Sequence, residues 1–185
     1  MRASRHRERD PMESRVKLLG HPIHPMLIVL PLGLLSIGVL FDVVYLVTGD
    51  STFATVAFWN ITAGVVGGLL AAIFGLIDWL AIPKGTRAKT IGLWHGVGNV
   101  VIVGLFLVSW LLRLSDTDYA PNLLPFIFGV VGVALALGTA WLGGELVYRL
   151  GVAVDDGAHL DAPSSLSGDV PADSMDRGRT ARAAR

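Results

Sequence analysis

The chain has no cysteine. Structural disulfides, thiolate zinc sites, iron–sulfur ligation and a Cys-x-x-Cys-His haem attachment are therefore excluded within it. Charge is scarce too: Asp, Glu, Lys and Arg make up 16% of the residues, where ordinary soluble domains carry roughly a quarter. No glycine-rich phosphate loop, serine elbow or paired-acid hydrolase signature is present. Gly143-Gly144 before Glu145 lacks the strand–loop–helix setting that a phosphate loop needs.

What fills the chain instead is apolar. Hydrophobic residues account for 52% of it, and mean hydropathy is +0.60. The apolar residues run together at about 25–47, 55–82, 90–112 and 122–148, each long enough to cross a hydrocarbon core of ~30 Å. The expected fold is all-α, an integral membrane four-helix bundle. It comprises a polar, mobile N-terminal segment (1–17), a four-span domain (18–153) and a disordered tail (154–185) rich in Asp, Ser, Pro, Ala and Arg. The first run is longer than a signal-peptide core and lacks an Ala-x-Ala-like cleavage site, so a retained first helix is expected.

Lys and Arg are distributed unevenly. Arg2, Arg5, Arg7, Arg9, Arg15 and Lys17 precede the first run, and Lys84, Arg87 and Lys89 lie in the second loop. Arg149, Arg177, Arg179, Arg182 and Arg185 follow the last run. The first loop, around Gly49-Asp50-Ser51, has none, and Arg113 stands alone at the third. The positive-inside rule then puts both termini and the second loop in the cytoplasm. The basic residues are mixed with Glu8, Asp10 and Glu13, a pattern for anionic lipid headgroups and not for nucleic acid. The bilayer is the expected partner; nothing in the sequence gives an oligomeric state.

Glycine punctuates the helices: Gly64 and Gly68, then Gly92 and Gly96, are small residues four apart, a spacing that permits close helix approach or room for a flat ligand. Pro22 and Pro25 suit a first helical turn. Pro31 removes the backbone bond to Leu27, which predicts a kink.

The polar residues that interrupt the apolar runs gather at two depths. At the basic end lie His21, His24, Asp78, His95 and Glu145; at the other end lie Asp42 and Arg113. His21 and His24 share a face if the first turn is helical, and His95 and Asn99 are one turn apart. Two imidazoles from different helices suit one haem b, with Lys84, Arg87 or Arg149 near its propionates. Imidazoles with Asp78 or Glu145 suit zinc, iron or copper instead. The plain alternative is structural: Asp78 bonding His95, Glu145 pairing with Arg149, and polar groups at helix ends merely fixing the packing. Asp42 and Arg113 read as an ion pair between the first and third helices. Asp42 follows His24 by 18 residues and Arg113 follows His95 by 18, about 27 Å of helix in each case. This hints at a parallel repeat about an axis along the membrane normal. Trp59, Trp110 and Tyr119 at one end, and Trp79, Trp94, Trp141 and Tyr148 at the other, read as interfacial belts.

Gly20-His21-Pro22-Ile23-His24-Pro25-Met26 resembles the opening motif of the bacterial predicted membrane protein family DUF2231. Gly75-Leu76-Ile77-Asp78-Trp79, Trp94-His95 and Gly143-Gly144-Glu145-Leu146-Val147-Tyr148-Arg149-Leu150-Gly151 extend the likeness over about 18–153. The resemblance implies a multi-pass protein of the bacterial inner membrane. It is similar, more broadly, to four-helix b-type cytochromes, and so implies electron transfer with a redox partner protein. Histidine is absent from the outer half, so one haem, held by His95 and His24 or His21, is the most the pattern admits. A non-haem metal site and a non-catalytic scaffold or assembly subunit are the competing expectations.

Overall fold

The computed structural model describes residues 12–167. After a two-residue hairpin of β1 (Lys17–Leu18) and β2 (His21–Pro22) come α1 (Ile23–Leu27), α2 (Val29–Thr48), α3 (Ser51–Ala81), α4 (Arg87–Arg113) and α5 (Leu123–Gly144). A single π-helical turn, Glu145–Arg149, extends the last helix. Four stretches are long and apolar enough to span a membrane: Ile23–Thr48, Ser51–Ala81, Arg87–Arg113 and Leu123–Arg149.

Local chemistry sets the helix ends. Asp50, Thr86 and Asn122 each place a side-chain oxygen on a free N–H of the first turn, at Thr52, Lys89 and Leu124. Gly49 (φ +71°) ends α2 in the left-handed conformation that glycine adopts without strain. The break between α1 and α2 falls at Ile28, three residues before Pro31, where the expected kink takes its physical form. The hairpin turn has Leu19 at φ +52° and Gly20 at φ +86°, the positive pair that a two-residue turn between twisted strands requires.

α2 packs along α3 and α4 along α5, giving two tight hairpins that meet across a core of Leu35, Val39, Ile61, Val65, Ile102 and Phe106. The hairpins are related by an internal repeat. One 71-residue interval links His24 to His95, Leu35 to Phe106 and Asp42 to Arg113; a 68-residue interval links Gly64 to Gly132, Ala71 to Thr139 and Gly75 to Gly143. The contacts repeat with the numbers: Leu35 fills the notch at Gly64, and Phe106 fills the notch at Gly132.

Both ends of the described chain lie at the end of the bundle that carries the α3–α4 loop. Met12 N–H donates to Gly151 O at 2.9 Å, and Ala153 N–H donates to Met12 O at 2.6 Å. Met12 and Val152 also join the apolar cluster of Ile82, Leu146 and Trp79. Residues 12–17 form a strap against the bundle: Ser14 is buried, and its hydroxyl lies 2.8 and 2.9 Å from the two oxygens of Asp78, which also accepts the Arg15 N–H at 2.8 Å. Residues 154–167 form turns that return to this strap through Lys17–Asp155 and through Asp156 N–H to Glu13. The rest of the expected tail, 168–185, and residues 1–11 lie outside the described residues. Partial burial opposes the charge on Lys17, but its bonds to Asp155 and Glu13 outweigh that and raise its pKa above the ordinary lysine value.

The strap yields a direct test. Bonds to a charged acceptor are worth about 1.5–3 kcal/mol each, so Asp78→Ala should speed tryptic cleavage after Arg15 roughly tenfold or more. Equal cleavage rates in both proteins would show that Asp78 does not hold the strap.

Candidate functional site

Of the five polar residues expected at the basic end, the structure brings two together. The rings of His24 (α1) and His95 (α4) stand with centroids 6.2 Å apart and planes at 86°. Both are half-buried, and both are oriented in the same way by the neighbouring helix. His24 Nδ1 lies 2.9 Å from Ala71 O, and His95 Nδ1 lies 2.9 Å from Thr139 O. A carbonyl only accepts, so each Nδ1 carries a proton; in the neutral ring Nε2 is then the acceptor, and that of His95 lies 3.2 Å from Asn99 Nδ2. Nδ1–H to carbonyl is the bond that commonly orients a metal-ligating histidine.

Glycines make this arrangement possible. A Cβ at Gly75 would lie 2.8 Å from Cε1 and Nδ1 of His24, and a Cβ at Gly143 would lie 3.1 Å from Cε1 of His95. The notches at Gly75 and Gly143 are thus filled by the imidazoles themselves, and that at Gly92 by Trp79. Gly92, one of the glycines expected to leave room for a flat ligand, therefore leaves none.

The other three residues are engaged elsewhere. His21 sits in β2, before the helix begins at Ile23, so it does not share a helical face with His24. It is exposed, with Nε2 3.4 Å from Ser165 Oγ. Asp78 is held by Ser14 and Arg15 and does not bond His95. Glu145 accepts from Arg87 at 2.6 Å, so its partner lies on α4 and is not Arg149. Among the described residues, no group of three or more His, Asp or Glu is placed to hold a metal ion.

Sequence reasoning gave Ser14 no role, and the region around it reads as polar lead-in. Its one signal is a small hydroxyl within a segment otherwise rich in charge. Thr139 carries as little signal, because a threonine on a long apolar helix commonly bonds its own backbone, as its hydroxyl does here at Ala136 O.

At the opposite end, Arg113 and Asp42 are wholly buried and paired through two bonds of 2.6 Å. Arg113 Nη2 also reaches Ser109 Oγ at 3.3 Å, and Ser109 donates to Pro125 O at 2.8 Å. Arg113 Nε has no partner among the described residues. Nearby, Phe58 stacks on Tyr119 and Trp110 at centroid distances of 4.0 and 5.6 Å. Trp110 Nε1–H donates to Thr62 at 2.7 Å. At the basic end, Trp79 is pinned by Lys89, whose Nζ lies 3.9 Å from the centroid of its ring. Trp59, Trp94, Trp141 and Tyr148 are exposed.

Four long apolar spans whose charged side chains lie near the helix ends define a membrane protein. The chain belongs to the predicted membrane protein family DUF2231, whose model matches residues 20–156. No curated protein and no solved structure matches it.

Proposed function

We propose that this chain is a redox subunit of the bacterial inner membrane that holds one haem b between His24 and His95. The observation that carries the reading is the imidazole pair. The observed separation is 6.2 Å, with both Nδ1 atoms held on carbonyls. A free ion asks for three or four protein donors, whereas a haem iron could be held by two side chains. Two imidazoles without a third donor therefore favour haem over bare zinc, iron or copper.

Haem would supply one-electron chemistry at this end; the chain's own residues orient the two imidazoles and exclude lipid around them. Lys84 and Arg149, without partners among the described residues, offer cations for propionates at the same end. The positive-inside rule turns that end to the cytoplasm. Electrons would then pass to or from a partner protein there, because the far half of the bundle has no second histidine pair.

Protein purified in mild detergent should show a Soret band, with sharp α and β bands on dithionite reduction. His24→Ala and His95→Ala should each lose them. A featureless spectrum from haem-replete cells would overturn the reading. It would leave the scaffold role, which the closed hydrogen bonding of His95, Asn99 and Thr139 favours.

A further inference from the structure

His24 and His95 occupy equivalent positions in the repeat, yet their surroundings differ. One turn beyond His95 stands Asn99; at the matching place after His24 stands Ile28. Asn99 Nδ2 lies 3.2 Å from His95 Nε2 and 2.8 Å from His95 O, while its Oδ1 lies 3.3 Å from Thr139 Oγ1, whose single proton it shares with Ala136 O at 3.1 Å. The two amide protons thus meet two acceptors, and the amide oxygen meets a donor. A flipped amide would set oxygen against a carbonyl, so the contacts decide the orientation. They also agree with the His95 tautomer: Nδ1–H is spent on Thr139 O, which leaves Nε2 to accept. His24 Nε2 has no such partner among the described residues.

We propose that Asn99 is a positioning residue that occupies the lone pair of His95 Nε2, making His24 the open ligand of the pair and His95 the gated one. The proposal rests on the haem reading of the same site and adds an order to it. Nε2 of His24 would be free to hold a metalloporphyrin, whereas Nε2 of His95 would be free only once the Asn99 N–H is withdrawn. The repeat supplies the substitution that tests this. Asn99→Ile installs the residue of the other half and uncovers His95 Nε2, while Thr139 Oγ1 retains Ala136 O at 3.1 Å as its acceptor.

The experiment uses full-length protein in detergent, freed of cofactor, with hemin as the probe. A net hydrogen bond is worth about 1 kcal/mol, so Asn99→Ile should bind hemin about fivefold more tightly. Its spectrum should carry a larger low-spin, two-imidazole fraction than wild type, which keeps a high-spin, one-imidazole component. Equal affinity together with equal spin state would overturn the proposal. Histidine-ring nitrogen NMR of the cofactor-free proteins separates this from the haem reading. Asn99→Ile should move the His95 Nε2 resonance towards that of an unbonded nitrogen and leave His24 in place. If neither protein binds hemin, the haem reading fails, and this shift alone decides the role of Asn99: movement supports it, and no movement overturns it. Thr139→Val, which removes the donor to Asn99 Oδ1, should give a smaller shift in the same direction.

Discussion

Arg113→Met should cost the bundle about 3–5 kcal/mol, the usual result of leaving one member of a buried ion pair without its partner. Both groups are wholly buried and joined by two bonds of 2.6 Å, so neither charge has water to turn to once the other is gone. Asp42→Leu should cost a similar amount for the same reason. The double variant Asp42→Leu/Arg113→Met should recover most of the loss, because two apolar side chains need no desolvation to be offset. Thermal unfolding in a fixed detergent, followed by circular dichroism, reads all four proteins. If the single variants unfold within about 1 kcal/mol of wild type, the pair is not buried as described. If the double variant is as poor as the singles, the pair's worth lies in its neighbours: Ser109 bonds both Arg113 and the carbonyl of Pro125.

The second large effect is steric. Gly132→Val should destabilise by about 1–3 kcal/mol, the range for forcing extra methyl groups into a filled core. A Cβ there would stand 2.6 Å from Cε2 of Phe106, a fully buried ring in the contact between the hairpins. Gly138 is the control on the same helix: nothing lies within 4 Å of a Cβ placed there. Gly138→Ala should therefore be neutral or gain about 0.5–1 kcal/mol from reduced backbone freedom. Differing unfolding temperatures for the two variants would place the hairpin contact at Gly132; equal ones would remove it. The repeat extends the argument to Gly64, where a Cβ would meet Leu35 at 2.6 Å. Leucine gives way more easily than a clamped aromatic ring, so the cost of Gly64→Val should be smaller.

Much of the architecture can be read along the chain. Four apolar runs, their lengths and the basic residues beside the second loop follow from composition in one dimension, since a helix rises by a constant distance per residue. The same rise puts His24 level with His95 and Asp42 level with Arg113. Both pairs meet in the folded bundle. The equal 18-residue spacings hint at the repeat; the notches filled by Leu35 and Phe106 give it substance.

Depth along a helix is one coordinate; the direction a side chain faces around it is another. In a soluble helix the polar face reveals that direction. Here every face is apolar, and the pattern carries little azimuthal information. That is why nothing along the chain marks Gly75 and Gly143 as the glycines that house the two imidazoles. It is also why Asp78 and Glu145 read as members of the histidine cluster, when one bonds Ser14 and the other Arg87. His21 was ambiguous for a related reason: two prolines obscured where the helix begins, and the hairpin turn at Leu19-Gly20 carries that side chain away from His24.

Span count, the end at which charge gathers and the depth of each polar group are properties of the amino-acid sequence, because each depends on distance along the helix. Which of those groups touch, which carbonyl orients each imidazole and which amide covers His95 Nε2 were decided by tertiary structure. Helix rotation and the path of the strap settle those contacts, and in an all-apolar bundle both come from packing rather than hydropathy.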